Sequence, residues 1–297
     1  MYSLVMGFKN NYRKYGYTTL YSLLKNNPDD RFVIYILSDD LDFQYFSPLE
    51  EQFGCKIVPV KISAESIKTV DCGYLSFATL IRLLIGKYLP EHVTKVLYID
   101  ADIIIDASLA SLWTVDVEQY YAAVVRSSAP VAHLKKINVN AERYFNAGVM
   151  LLNLTRCRQD SIFERCLELI KNNKFQFLDQ DALNIAITNN VEFIDAKWNF
   201  DSFRAKTLLL TNNLAHPRRD IAIYHYTGKD KPWMRYCFNQ FKSVYRKYYC
   251  QDLGFELEND TSFLNGVRYR LISFLYSNKL TRKIIFHIRS VIRTNIE

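Results

Sequence analysis

Two aspartates, Asp100 and Asp102, have the spacing that most clearly points to chemistry. They lie between two apolar runs, residues 96–99 and 103–105. Burying an unpaired carboxylate is costly, so the pair needs a counter-charge. Side chains two residues apart on an extended chain point to the same side, so both carboxylates could bind one cation such as Mn²⁺ or Mg²⁺. The alternative is an aspartate that caps a helix near residues 107–113.

A second polar segment lies far downstream, at residues 223–233. His225 could supply an imidazole nitrogen to a metal. Gly228 allows close approach of the backbone, and the charge of Lys231 suits a diphosphate. The alternative for His225 is a core histidine with an ordinary hydrogen-bond partner.

Two further segments present polar side chains at the start of an apolar run or a helix. Asn146 and Gly148 begin one such run. Asp179, Gln180 and Asp181 stand where a helix is predicted to begin. The alternative for Asp179 is a helix cap, which the helix dipole favours.

These segments need elements to position them, and the first hundred residues alternate between β-branched runs and helix-like stretches. Strands are predicted at residues 2–6, 32–37, 56–60 and 95–99, with helices at 17–24, 47–53 and 76–89. Continuous apolar strands separated by helices indicate an α/β fold with a parallel sheet covered on both faces. Ligands bind at the carboxyl ends of such strands, so we expect the site in the loops after residues 6, 37 and 99.

Composition and glycine spacing exclude several classes of protein. With 297 residues, 49% hydrophobic and 23% charged, the chain is globular and forms one large domain or two modest ones. None of the 9 glycines forms a GxG pair, so the dinucleotide fingerprint and the Walker A loop are absent.

The net charge of +7 is concentrated at the end of the chain. Residues 266–297 hold seven basic residues against one acidic residue, and the rest is close to neutral. A nucleic-acid-binding protein carries basic residues over its folded body, so we expect no nucleic-acid partner.

The pattern of residues 282–293 predicts a basic amphipathic helix. Its apolar arc contains Ile284, Ile285, Ile288, Val291 and Ile292, and Arg282, Lys283, Arg289 and Arg293 lie outside that arc. Such a helix suits an anionic membrane surface, so residues 261–297 are predicted to form a separate membrane-attachment region. The alternative is a helix that packs on the body of the protein.

Cysteine usage and hydropathy predict the compartment. The 6 cysteines form no CxxC pair, the N-terminus has no secretory pattern, and no window of about 20 residues is apolar enough to span a bilayer. We therefore expect a cytoplasmic protein, held peripherally on the inner face of the membrane.

Four segments together resemble the retaining glycosyltransferases of family 8, which include bacterial lipopolysaccharide galactosyl- and glucosyltransferases and glycogenin. They are LYIDAD (97–102), YFNAGVMLLNL (144–154), LDQDALN (178–184) and HYTGKDKPW (225–233). The resemblance spans about residues 1–250. It implies a GT-A fold over residues 1–260, with a Rossmann-like, mostly parallel sheet flanked by helices. It also implies a UDP-sugar donor, a glycan or glycolipid acceptor and a divalent metal, usually Mn²⁺.

The resemblance also implies three sets of site residues. The metal ligands would be Asp100, Asp102 and His225. The donor would contact Tyr12, Arg82, Asp100, Ala101, Asn146, Gly228 and Lys231. The catalytic residues would be Gln180 and Asp179, with Asn146 beside them at the sugar.

These roles are chemically coherent. Loss of the diphosphate develops negative charge that the metal and Lys231 can neutralise, while the carbonyl oxygen of Gln180 can stabilise an oxocarbenium-like sugar. We favour front-side attack, in which the leaving phosphate oxygen takes the acceptor's proton. The alternative is a covalent intermediate on Asp181 or Asp179.

The sequence departs from the family pattern at three places. Residues 8–12 lack the acidic pair that follows the first strand, although Tyr12 can still stack on a base. Leu80 replaces a tyrosine, and Arg126 or Ser127 replaces an aspartate. The alternatives to an active hexosyltransferase are an inactive relative that binds a nucleotide sugar or a membrane, and a nucleotidyltransferase.

Overall fold

A computed structural model describes residues 1–63, 77–127, 129–202, 204 and 220–259. The chain divides into two compact units. The first contains residues 1–200 and 220–225, and the second contains residues 201–219 and 226–297 within the ranges just given. The predicted boundary at residue 260 lies at the end of the described chain and stays a prediction.

A seven-stranded sheet organises the first unit, in the order β3-β2-β1-β4-β7-β6-β8. The strands of both sheets are β1 (Tyr2–Gly7), β2 (Phe32–Ser38), β3 (Lys56–Lys61), β4 (Lys95–Ile99), β5 (Ile103–Ile105), β6 (Ala122–Arg126), β7 (Phe145–Asn153), β8 (Val191–Phe193), β9 (Phe200–Asp201) and β10 (Ile223–His225). Neighbours in the large sheet run parallel except at β7, which is antiparallel to both β4 and β6. The predicted α/β fold with a mostly parallel central sheet is confirmed.

Helices of the first unit cover both faces of this sheet. The helices of the first unit are α1 (Arg13–Lys25), α2 (Ser47–Phe53), α3 (Phe77–Leu80), α4 (Ile85–Tyr88), α5 (Ala110–Trp113), α6 (Val131–Lys136), α7 (Leu154–Gln159), α8 (Ile162–Asn172) and α9 (Leu178–Ile187). The second unit contains α10 (Lys242–Arg246). Successive strand residues point to opposite faces, so Val5 packs in one core with Leu84, whereas Leu4 packs in the other with Leu20. Two buried faces explain why the strands are continuously apolar.

The helix predicted over residues 76–89 is divided in its described part. A 3₁₀ turn, Ile81–Leu84, separates α3 from α4. A Cβ on Gly7 would lie 3.0 Å from the Cβ of Ile81, so the glycine that ends β1 lets this turn pack directly on the strand. The β-branched Ile81 and Ile85 also weaken the helical preference of the segment.

A second, small sheet brings a distant part of the chain to the aspartate pair. Its order is β5-β10-β9, and β10 is antiparallel to β5, with His225 opposite Ile103. Because Asp102 immediately precedes Ile103, this register places His225 beside the aspartates.

The second unit, taken by itself, is rich in packed aromatic rings. The ring of Tyr245 in α10 lies 5.3 Å from that of Tyr226 and 5.5 Å from those of Trp233 and Tyr249. The hydroxyl of Tyr226 donates to the carbonyl of Phe241 at 2.8 Å. The segment that follows β10 is therefore anchored to α10.

Within the described ranges, no helix combines the length and the apolar character that crossing a membrane requires. The predicted basic amphipathic helix of residues 261–297 lies outside the described residues.

Candidate active site

The site begins where β4 ends beside β7. The two strands are antiparallel, with Ile99 opposite Val149. The backbone N–H of Asp100 donates to the carbonyl of Gly148 at 2.9 Å. The first aspartate of the pair therefore lies at the carboxyl end of a central strand, where the sequence predicts a ligand site.

Asp100, Asp102 and His225 converge on one point. The Nε2 atom of His225 lies 3.3 Å from Oδ1 of Asp102 and 3.6 Å from Oδ2 of Asp100. One potential ligand atom from each residue lies within 4.8 Å of the other two. Neither aspartate caps a helix, because α5 begins at Ala110 and its N-cap is Leu109.

Gly148 lies directly against this cluster, where there is no room for a side chain. A Cβ at this position would collide with the ring of His225 and lie 2.7 Å from Oδ2 of Asp100. Two carboxylates and an imidazole around a wall without a side chain are a ligand set that suits a divalent cation. The residues present therefore fit a metal of that kind.

Arg82 joins two of the carboxylates. Its Nη2 donates to Oδ1 of Asp100 at 2.9 Å, and its Nε lies 2.6 Å from Oδ2 of Asp179. Its Nη1 donates to the carbonyl of Ala147 at 2.8 Å. One largely buried guanidinium, 12% exposed, thus fixes the end of β4, the start of β7 and the first turn of α9.

Burial and charge set the protonation of this group. Burial raises the pKa of Asp179 to about 6 although Arg82 opposes the shift, and Asp100 adds to it. Burial alone would lower the pKa of Arg82, but Asp100 and Asp179 raise it, so the guanidinium stays charged.

The two oxygens of Asp100 have different partners. The hydroxyl of Tyr98 donates to Oδ1 at 2.6 Å, so Oδ1 accepts from both Arg82 and Tyr98, whereas Oδ2 faces His225.

A chain of amide side chains lies beside this charged group. The Nδ2 of Asn199 donates to Oδ1 of Asn146 at 2.9 Å, and the Nδ2 of Asn146 donates to Oε1 of Gln180 at 3.1 Å. The Nε2 of Gln180 then donates to the hydroxyl of Tyr144 at 2.9 Å. The two predicted sugar-side amides therefore hold each other in one orientation.

Asp181 faces the protein interior and is 0% exposed. Its Oδ1 accepts from the hydroxyl of Tyr144 at 2.7 Å and lies 3.0 Å from Nε2 of His133. Its Oδ2 accepts from the backbone N–H of Phe177 at 2.9 Å. Both oxygens are occupied, so the geometry argues against Asp181 as a covalent nucleophile.

The remaining predicted donor residues are more dispersed. Tyr12 is exposed at the end of a 3₁₀ turn, Asn10–Tyr12, with its ring edge-on to Tyr15 at 5.1 Å. Ala101 is buried, and its carbonyl accepts from the hydroxyl of Thr19 at 3.0 Å.

Gly228 and Lys231 belong to the second unit. Gly228 has a φ of +82°, and the Nζ of Lys231 donates to the carbonyl of Tyr226 at 2.8 Å. Their predicted contact with a diphosphate stays a prediction.

Carboxylates do stand beside the segment that lacks the family's acidic pair. The Nζ of Lys9 lies 3.4 Å from Oδ2 of Asp39, and the backbone N–H of Asn10 donates to Oδ1 of Asp40 at 2.9 Å. These two aspartates follow β2 rather than β1. Neither aspartate is predicted from the sequence as a site residue.

Sequence reasoning also missed Tyr98, His133, Tyr144 and Asn199. Tyr98 and Tyr144 each precede a predicted site residue by two positions and therefore point to the same side of an extended chain. That spacing could have identified them. Asn199 stands between two aromatic residues and gives no such signal.

The chain has clear relatives. Residues 3–237 match the family model described as glycosyl transferase family 8. A putative glycosyltransferase of Haemophilus influenzae is 30% identical over 239 residues, which cover 76% of this chain and 71% of the relative. The lipopolysaccharide 1,3-galactosyltransferase of Salmonella typhimurium is 28% identical over 226 residues, covering 71% and 67% respectively.

The fold also matches a solved structure. The crystal structure of galactosyltransferase LgtC in complex with donor and acceptor sugar analogues superposes with a TM-score of 0.73 and 24% identity. The match covers 84% of this chain and 95% of the other. This likeness confirms the predicted GT-A fold.

Proposed function

The chain belongs to glycosyl transferase family 8, and on that premise we propose that it transfers a hexose, galactose or glucose, from a UDP-sugar. The protein is a glycosyltransferase, and its acceptor in this proposal is a glycan or lipid-linked glycan. The relative named as a lipopolysaccharide galactosyltransferase supports a role in lipopolysaccharide or other cell-surface polysaccharide synthesis.

One observation carries the proposal. Ligand atoms of Asp100, Asp102 and His225 come within 4.8 Å of one another beside Arg82 and the buried Asp179. A metal-binding group beside hydrogen-bonding side chains is what a diphosphate-sugar donor requires, because its phosphates bind the metal while its sugar binds side chains.

The metal ligands in this proposal are Asp100, Asp102 and His225, and the metal is Mn²⁺, with Mg²⁺ as the alternative. A divalent cation bound there would neutralise the negative charge that develops on the leaving diphosphate. Arg82 and Tyr98 hold Oδ1 of Asp100 and so keep its Oδ2 turned toward His225. The ligand geometry is thereby set in advance by the protein.

The sugar side of the proposal uses Asn146, Asp179 and Gln180. Two donors, the Nδ2 of Asn146 and the backbone N–H of Ala147, hold Oε1 of Gln180 at 3.1 and 3.2 Å. A fixed carbonyl dipole of this kind can stabilise the positive charge that develops on the sugar ring. An amide is a weak nucleophile, so we favour front-side attack. The bond between the anomeric carbon and the diphosphate oxygen breaks, the acceptor oxygen bonds to that carbon from the same face, and the acceptor's proton passes to the departing phosphate oxygen.

Donor hydrolysis tests the proposal. The protein is incubated with a panel of UDP-sugars and Mn²⁺, and free UDP is measured. We expect release from UDP-galactose or UDP-glucose and its loss in Asp102→Ala. The matched control is Asp116→Ala, which removes an exposed aspartate whose Oδ1 accepts from the backbone of Glu118.

The outcomes separate the alternatives. UDP release by Asp102→Ala at the wild-type rate would refute the metal assignment. Binding of UDP and Mn²⁺ with no turnover of any sugar would indicate an inactive relative.

The membrane proposal rests on the sequence of residues 261–297. Their basic charge and apolar arc support attachment to an anionic bilayer, and the cysteine pattern supports a cytoplasmic location. Flotation with anionic liposomes compares the whole chain with one that ends at residue 265. Equal flotation of both would end this proposal.

A further inference from the structure

Backbone N–H groups fix the direction of the amide chain. The N–H of Gly148 donates to Oδ1 of Asn146 at 2.9 Å. A backbone N–H can only donate, so the atom that it meets must be the amide oxygen. The N–H of Ala147 fixes Oε1 of Gln180 in the same way, at 3.2 Å.

The orientation of the Asn146 amide in turn fixes that of Asn199, which is 1% exposed. Its nearer amide atom lies 2.9 Å from the same Oδ1 of Asn146, so it must be the nitrogen that donates. The other amide atom of Asn199 is consequently the oxygen, and it lies 2.9 Å from Nδ1 of His225.

An amide oxygen only accepts, so Nδ1 of His225 must carry the proton. In a neutral imidazole the lone pair is then at Nε2. Nε2 is the atom that lies 3.3 Å from Oδ1 of Asp102 and 3.6 Å from Oδ2 of Asp100. The tautomer that suits metal binding is therefore set by the neighbouring amides.

We propose that Asn199 is a positioning residue that holds His225 in the tautomer able to bind the metal and links that ligand to the sugar-side amides of Asn146 and Gln180. The inference rests on the metal site of the proposed function. A histidine ligand commonly donates its second N–H to a protein oxygen, and loss of that partner lowers metal affinity about 10–100-fold. Asn199 differs from an ordinary partner because its amide nitrogen reaches the residues assigned to the sugar.

Three variants test the proposal. Asn199→Leu removes both hydrogen bonds. Asn199→Asp keeps an acceptor for Nδ1 of His225 but loses the donor to Asn146. The matched control is Asn27→Leu, because Asn27 is buried as Asn199 is. Its side-chain amide accepts from the N–H of Leu109 and donates to the carbonyl of Leu23, in the helix-capping region after α1.

The first readout needs no metal. Nitrogen-15 NMR of the histidine rings, at a pH where His225 is neutral, reports which nitrogen carries the proton. We expect the Nδ1–H form of His225 in the wild type, in Asn199→Asp and in Asn27→Leu, and a mixture of tautomers in Asn199→Leu. Retention of the pure Nδ1–H form in Asn199→Leu would overturn the proposal.

The second readout is Mn²⁺ affinity, measured by electron paramagnetic resonance of the free ion. We expect Asn199→Leu to bind about 10–100-fold more weakly, and Asn199→Asp and Asn27→Leu to bind much as the wild type does. Asn199→Asp should instead lower kcat for donor hydrolysis, because Asn146 and Gln180 lose their fixed partner. Wild-type affinity in Asn199→Leu, or unchanged kcat in Asn199→Asp, would overturn the proposal.

Asp102→Ala distinguishes a failure of the proposed metal site from a failure of the role proposed for Asn199. If it binds Mn²⁺ as the wild type does, the proposed metal site is wrong. If it loses Mn²⁺ while Asn199→Leu does not, the metal site stands and only the role of Asn199 is wrong.

Discussion

The two halves of the site are built on different physical principles. The charged half contains Arg82, Asp100 and Asp179, in which one guanidinium lies between two carboxylates. The amide half contains Asn146, Gln180 and Asn199, which carry no charge. The charged half depends on keeping every buried charge compensated, whereas the amide half depends on which atom of each group faces its neighbour.

Gly148 joins the two halves. Its N–H donates to Asn146 in the amide half, and its carbonyl accepts from the N–H of Asp100 in the charged half. The backbone of Gly148 thus fixes which atom of the Asn146 amide faces it and also holds the backbone of Asp100 in place.

The largest effect is expected from the charged half. Arg82→Met leaves Asp100 and Asp179 without their cation, and loss of one partner of a buried ion pair costs about 3–5 kcal/mol. Chemical denaturation should show this lower free energy of unfolding, and donor hydrolysis should be lost. Arg82→Lys keeps the charge without the forked geometry and should lose less stability. Wild-type stability in Arg82→Met would show that the two halves do not differ as described.

A change at the junction should disturb both halves. In Gly148→Ala the new methyl group meets His225 and Asp100, and overpacking of this kind costs about 1–3 kcal/mol. Mn²⁺ affinity should fall as well. Gly86→Ala is the matched control, since its Cβ would lie 2.6 Å from the ring of Phe163, away from the metal ligands. Equal Mn²⁺ affinity in both variants would contradict the assigned role of Gly148.

A smaller effect on activity is expected from Asp181, a charged residue that contacts the amide half through Tyr144, whose hydroxyl accepts from Gln180. Asp181→Asn weakens the bonds to Tyr144 and His133, and a disturbed buried hydrogen bond costs about 1–3 kcal/mol. Donor turnover should persist at a reduced rate. Loss of turnover on the order of 10³-fold or more, as for a missing nucleophile, would restore the covalent alternative. Asp160→Asn, which alters the exposed bond to the hydroxyl of Tyr121, serves as the control.

The smallest effect concerns protonation in the charged half. Carbon-13 NMR of the metal-free protein should give Asp179 a pKa of about 6, above its ordinary 3.8, because burial disfavours the carboxylate. Asp100→Asn should lower this pKa, since a repelling charge is removed. A raised folded pKa also means that the contribution of Asp179 to stability falls as the pH rises from about 4 to about 6. An ordinary pKa for Asp179 would contradict the described burial and charge.

The charged half was only partly predictable from the residues alone. Acidic residues between apolar runs are conspicuous because their burial needs compensation, and that reasoning identified Asp100 together with the neighbouring Asp102. Arg82 came only from the family resemblance, and Asp179 could equally have been a helix cap. The strands of the first hundred residues were predictable, since two buried faces leave a continuous apolar run. The antiparallel direction of β7 was not, because an apolar run carries no information on its direction.

The amide half was less accessible to sequence reasoning. Asn199 lies far along the chain from its partner Asn146, and an uncharged amide next to aromatic residues is unremarkable in composition. Its role depends on the pairing of β10 with β5, which brings His225 to the aspartates. Tertiary register of this kind is not encoded in local spacing.

The most direct test of the central claim is a crystal structure with Mn²⁺ and UDP, in which anomalous scattering locates the metal. We predict a manganese peak in contact with Oδ2 of Asp100, Oδ1 of Asp102 and Nε2 of His225, with the diphosphate on the same ion. A peak bound elsewhere, or these three side chains turned away from one another, would contradict the account.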